Sequence, residues 1–129
     1  MAPSVSPLRI FYLEDNPLIV FHIEAMIEDL GYVFAGSASS FADLVGRIET
    51  IEVDGVLVDI DLADGRTGPA AAKWLRQRGI PSIFVTGQEA IAAEYPETAL
   101  ATIGKPVSES ELAEKLELFR LTSSTSKTI

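Results

Sequence analysis

Cysteine is absent from the 129-residue sequence, so disulfides and thiolate metal sites are excluded. Long apolar runs are missing too, and none approaches the roughly 20 residues that a membrane helix needs. Basic residues are scarce, 10 Lys+Arg against 19 Asp+Glu, for a formal net charge of -9. Phosphate backbones and anionic membranes attract basic surfaces, so neither nucleic acid nor a membrane is an expected partner. The first residues, Met1-Ala2-Pro3-Ser4-Val5-Ser6-Pro7, lack the basic-then-apolar order of a signal peptide, and a cytoplasmic location is the expectation.

Hydrophobic residues make up 47% and charged residues 22%, the balance of an ordinary globular domain. The length allows one domain with one proper core, expected over residues 8–121. Residues 1–7 read as a loose arm and 122–129 as a polar tail. Neither an internal repeat nor a second domain is visible.

The periodicity alternates. Arg9-Ile10-Phe11-Tyr12-Leu13 reads as a first strand, and Asn16-Pro17 as the cap and first position of a helix. That helix carries Ile19, Ile23, Met26, Ile27 and Leu30 on one stripe and stops at Gly31. Tyr32 to Ala35 gives a second strand. Ser39 or Ser40 can cap a second helix, with Phe41, Leu44, Val45 and Ile48 inward. Val56-Leu57-Val58-Asp59 is a short apolar run ending in a carboxylate, as in a buried parallel strand. A helix from about Pro69 to Arg78 follows, ended by Gly79. Pro81 to Thr86 is a fourth strand. Gly87, Pro96 and the lack of a sustained stripe predict only a short helix over Glu89 to Glu94. Leu100 to Ile103 is a fifth strand. Ser108-Glu109-Ser110-Glu111 has the capping-box pattern and opens a last helix carrying Leu112, Leu116, Phe119 and Leu121. Five strands alternating with helices predict a five-stranded parallel sheet, doubly wound and flavodoxin-like, (βα)5, with a weak fourth helix.

Strand ends carry the chemistry in such a sheet, because they meet at one rim. Glu14 and Asp15, Asp59, Thr86 and Lys105 stand at the ends of strands one, three, four and five. Three carboxylates gathered there repel one another unless a cation holds them, and hard oxygen donors suit Mg²⁺. A lysine and a hydroxyl beside them supply donors for the oxygens of a transferring phosphoryl group. A carboxylate can itself accept that group.

In this order and at these strand ends, the residues resemble those of response-regulator receiver domains of two-component signalling, the CheY-like superfamily. The resemblance runs from about Leu8 to Leu121. It implies that Asp59 is the phosphoacceptor and that Mg²⁺ is the cofactor. Asp15 would then ligate the metal directly, Glu14 largely through water, and Asp61 by its backbone carbonyl. Thr86 would be the switch hydroxyl and Lys105 the lysine that pairs with the phosphoryl group. The implied donor is a sensor histidine kinase or a phosphotransfer protein. The implied output of a stand-alone receiver, a monomer or weak dimer, is protein contact or service as a phosphate sink. Phe84-Val85-Thr86-Gly87-Gln88 and the turn Leu62-Ala63-Asp64-Gly65 are similar to segments of the FATGUY subgroup, whose members typically partner HWE-type kinases. Val85 replaces its usual alanine, and Gln88 is not apolar. Thr102 stands where most receivers carry an aromatic switch residue, three before the lysine.

Competing readings are less complete. Asp59-Ile60-Asp61 also resembles the nucleophile motif of haloacid-dehalogenase-like phosphatases. Their acidic pair lies downstream of the lysine, where this chain has Glu109 and Glu111 within a predicted helix start. An unphosphorylated interaction module of receiver shape is the third reading. His22, the sole histidine, reads as a surface residue and Trp74, the sole tryptophan, as packing. Leu18, Pro106 and Val107 are apolar groups near the rim that can dock a kinase helix.

Overall fold

The computed structural model describes residues 7–127, with side chains described through Thr122. Strands β1 (Arg9–Leu13), β2 (Val33–Ala38), β3 (Gly55–Val58), β4 (Ser82–Thr86) and β5 (Thr102–Gly104) form one parallel sheet. Their order is β2-β1-β3-β4-β5, the doubly wound arrangement expected. Helices α1 (Pro17–Asp29), α2 (Phe41–Arg47), α3 (Gly68–Gln77), α4 (Glu89–Ala92) and α5 (Glu109–Lys127) follow the strands in turn.

Strands β3 and β4 are buried along their whole length because helices cover both faces of the sheet. Alternation along each strand divides the core in two. Ile10, Tyr12, Leu57, Ile83, Val85 and Ile103 face one way and meet Ile23 and Ile27 of α1 and Leu112, Leu116 and Phe119 of α5. Phe11, Leu13, Val56, Val58 and Phe84 face the other way and meet α2, α3 and α4 through Leu44, Ala71, Leu75 and Ala92. Gly55 lets α5 close down on the sheet, since a Cβ there would lie 2.5 Å from the Phe119 ring.

The helix starts follow the sequence. Asn16 accepts from the amides of Leu18 and Ile19 ahead of Pro17, and Ser40 from that of Asp43. Ser108 Oγ accepts from the amide of Glu111 at the head of α5. The expected short α4 is a single turn of four residues.

Other boundaries move. β2 runs to Ala38 rather than stopping at Ala35, and Gly36 adopts φ 136° beside a register shift in β1. β2 is an edge strand with most residues half-buried, so its outer half carries no apolar pattern to read. β5 begins at Thr102, although the Leu100 amide already bonds to Ser82 O. Leu121 is 63% exposed, on the outer side of α5 rather than in its stripe, and Val45 of α2 is 41% exposed. α5 continues to Lys127, into the segment expected as a polar tail. Among the described residues no helix is long and apolar enough to cross a membrane.

Candidate functional site

The parallel ladder places the functional side chains. The amide of Glu14 bonds to Ala38 O, that of Asp59 to Leu13 O and that of Lys105 to Thr86 O, so these residues leave the sheet at one rim. Glu14 is 3% and Asp59 7% exposed. Lys105 spans them, with Nζ 2.6 Å from Glu14 Oε1 and 2.8 Å from Asp59 Oδ2. Asp59 Oδ1 accepts from the Ile60 amide at 2.7 Å. Asp15, on the exposed side, completes a group with Glu14 and Asp59 in which one carboxylate oxygen of each lies within 4.8 Å of the others.

The electrostatics follow from this crowding. Burial pulls the Lys105 ammonium down, but its hydrogen bonds to Asp59 and Glu14, reinforced by their charges, leave its pKa above the ordinary value. Desolvation raises the pKa of Asp15, and the neighbouring Glu14 raises it further. Beneath them the Tyr12 hydroxyl donates to Glu14 Oε1 at 3.0 Å. Burial, then Glu14, pushes the Tyr12 phenol up, so it stays protonated as a donor.

One lysine does not balance three carboxylates, and the donors are hard oxygens, so the residues fit a Mg²⁺ ion. They differ in what they have left to give. Glu14 already receives hydrogen bonds from Tyr12, Lys105 and the Asn16 amide. Asp15 is open to solvent.

Thr86 and Asp61 lie at the same rim but face other partners. Thr86 is fully buried and its Oγ1 accepts from the Gln88 amide at 2.9 Å; its expected neighbour Lys105 meets it only through the backbone. The Asp61 carboxylate is held by Arg66 Nε at 3.0 Å and by Gln88 Nε2, and Arg66 Nη2 reaches Gln88 Oε1 at 3.1 Å. These three side chains close a clasp between the loops after β3 and β4. Hydrogen bonds from Arg66, then from Gln88, hold the Asp61 carboxyl below the usual carboxylate range.

Sequence reading missed Tyr12, Arg66, Gln88 and Asp64. Tyr12 was within reach, because a residue two before Glu14 on a strand shares its face. Arg66 and Gln88 stand 22 residues apart, and only the fold brings them together. Asp64 accepts from the amides of Phe41 and Ala42 at the head of α2 and from the Thr67 hydroxyl. Those bonds, Thr67 first, lower its pKa. Gly68 is required where α3 starts, since a Cβ there would fall 2.0 Å from Asp59 O.

Leu18 and Phe21 are 79% and 73% exposed on the first turns of α1, just after Asp15. Pro106 is exposed, whereas Val107 is half-buried and packs on the core. His22 is exposed. Trp74 packs edge-on to Phe41, under the Arg78 guanidinium. Glu109 and Glu111, the pair the phosphatase reading requires, lie on α5 outside the carboxylate group.

A family model described as the response regulator receiver domain matches residues 10–117. The phyllosphere-induced regulator PhyR of Methylorubrum extorquens is 35% identical over 102 residues, 76% of this chain. The chain spans only 38% of that relative's length. The solved receiver domain of the PhyR response regulator of Erythrobacter litoralis superposes with a TM-score of 0.79 at 26% identity, covering 90% of this chain and 92% of that one. The anti-anti-sigma factor PhyR of Bartonella quintana gives a TM-score of 0.83 at 26% identity, over 97% of this chain and 51% of the other.

Proposed function

The chain belongs to the response-regulator receiver family, and from that premise we propose that it takes a phosphoryl group onto Asp59 from a phosphohistidine and passes its state on by protein contact. The observation that carries this reading is the buried Asp59 carboxylate held by Lys105 at 2.8 Å beside the Glu14 and Asp15 carboxylates. In the transfer an Asp59 carboxylate oxygen bonds to phosphorus while the phosphorus–nitrogen bond breaks. The electron pair stays on the leaving imidazole, which takes up a proton as it departs. Lys105, already at the carboxylate, is placed to donate to the phosphoryl oxygens. Asp15, Asp59 and the Asp61 carbonyl would hold Mg²⁺, with Glu14 beside them, and the ion would supply charge neutralisation.

The Thr86 hydroxyl accepts from the Gln88 amide and can still donate its own hydrogen to a phosphoryl oxygen, so the switch hydroxyl is tied to the loop after β4. Leu18 and Phe21 form an apolar patch beside the acceptor that suits a docking kinase helix. An HWE-type kinase as donor is supported by Phe84-Val85-Thr86-Gly87, the segment similar to the FATGUY subgroup.

Incubation of the wild type and Asp59→Asn with a phosphoramidate and Mg²⁺, followed by intact mass, tests the proposal. One base-labile adduct on the wild type alone is expected. No adduct from either a phosphoramidate or a phosphorylated kinase overturns the proposal. Phosphate release from simple phosphomonoesters would point to the phosphatase chemistry instead.

A further inference from the structure

The single turn of α4 leaves the side of α3 nearest it uncovered, and a groove opens there. Its upper part, about 440 Å³, is lined by Arg66, Ala70, Lys73, Arg76 and Tyr95 and by no acidic residue. Arg76 and Thr98 also line a second cavity of about 370 Å³, where Glu97 brings an acidic residue, so the cationic part of the groove is its upper part. Buried Ser82 lines that cavity, and its Oγ lacks a hydrogen-bond partner among the described residues. Lys73 and Arg76 stand one turn apart on α3, with Ala70 a turn before them and Arg66 in the loop that leads into the helix. The cations are three of the 10 Lys+Arg in a chain of formal net charge -9. The side chain of Lys73 is exposed and has no hydrogen bond or ion pair among the described residues, which is an unspent charge. The Arg76 guanidinium donates to the Glu97 carbonyl at 2.6 Å and has no ion pair among the described residues.

We infer that this groove between α3 and the segment 93–100 docks an acidic segment of a partner protein, its carboxylates on Lys73, Arg76 and Arg66 and its apolar side chains against Ala70 and Tyr95. Charge complementarity selects the occupant. A row of three cations matches carboxylates spaced along one face of a peptide. A nucleic acid carries charge at a higher density than a peptide with spaced carboxylates, so the acidic remainder of the molecule repels it more strongly. The inference does not depend on phosphorylation of Asp59. The groove nevertheless connects to the rim, because Arg66 is also the partner of Asp61 and Gln88. A docked carboxylate competes with Asp61 for Arg66 and loosens the clasp.

The test titrates the full chain, labelled with ¹⁵N, with a synthetic 16-residue peptide carrying Glu every third or fourth residue and Leu between them. Saturable shifts confined to residues near 66–76 and 95–98, with movement of the Gln88 side-chain amide, are expected. Lys73→Glu breaks no contact and so preserves the fold. It should weaken binding roughly tenfold, and a Lys-for-Glu peptide should not bind. Shifts centred on α1, an unchanged affinity in Lys73→Glu, a silent Gln88 amide, tighter binding of a single-stranded DNA of equal charge, or peptide-independent dimerisation through this face would each overturn the inference.

Discussion

The two faces of the sheet are built differently. On one, α1 and α5, of 13 and 19 residues, close over a continuous core, and Phe119 sits where only Gly55 allows it. On the other, α2, α3 and α4 have 7, 10 and 4 residues, and side chains bonded to loops do much of the holding. Asp64 ties the loop after β3 to α2, Arg76 ties α3 to Glu97, and the Arg66–Asp61–Gln88 clasp ties two loops together. Both faces bury an apolar cluster, and the open face adds polar links that can exchange partners, which is what a state-dependent surface needs.

Phe119→Ala gives the largest expected effect, a loss of about 3–5 kcal/mol in urea denaturation. Half-buried Ile91 on α4 should cost only about 1 kcal/mol on the same change. Equal losses would break the comparison. Lys105→Ala acts where the faces meet at the rim. It should slow phosphorylation by roughly a hundredfold, as loss of one preorganised donor does, while Mg²⁺ binding by calorimetry stays nearly intact. A large loss of metal affinity would place Lys105 in the wrong role.

Asp64→Ala sharpens the polar side of the contrast, with an expected cost of about 1 kcal/mol at neutral pH. The folded pKa of Asp64 is depressed, so the carboxylate's contribution is complete above its unfolded value near 3.8. It disappears as pH falls through the lower folded value. The gap between wild type and variant, read by denaturation across pH, should therefore close only in acid. Ser82→Ala is the smallest change and has the opposite sign. Removing a buried hydroxyl without a partner should leave stability unchanged or raise it by up to about 1 kcal/mol.

The closed face is the more legible one in the sequence. Ile23, Ile27, Leu112, Leu116 and Phe119 keep helical spacing, and all are buried. Leu121 falls off that stripe because it stands two residues past Phe119, about 200° around the helix. Glu14, Asp15, Asp59 and Lys105 can be brought together from the sequence because parallel strands end at one rim, where a lysine offsets part of the carboxylates' mutual repulsion. Thr86 reaches the rim, but its hydroxyl bond to the Gln88 amide depends on the loop, which no periodicity describes. The clasp stays hidden for the same reason. Arg66 and Gln88 are ordinary surface residue types, and their pairing depends on loop geometry. The weakness of α4 is legible in Gly87 and Pro96, whereas the cationic groove its shortness exposes is not, since it forms only when α3 and the segment after α4 come together.

Tyr12 has a practical consequence. Its hydroxyl bonds to Glu14 beneath the carboxylate group, on the α1 and α5 side of the sheet, while the sole tryptophan, Trp74, lies on the other side under Arg78 at 3.7 Å. Each layer therefore carries its own native chromophore. With Tyr32 and Tyr95 replaced by Phe, ultraviolet difference absorption of Tyr12, read against tryptophan emission, can time events at the rim separately from events along α3, without an added label.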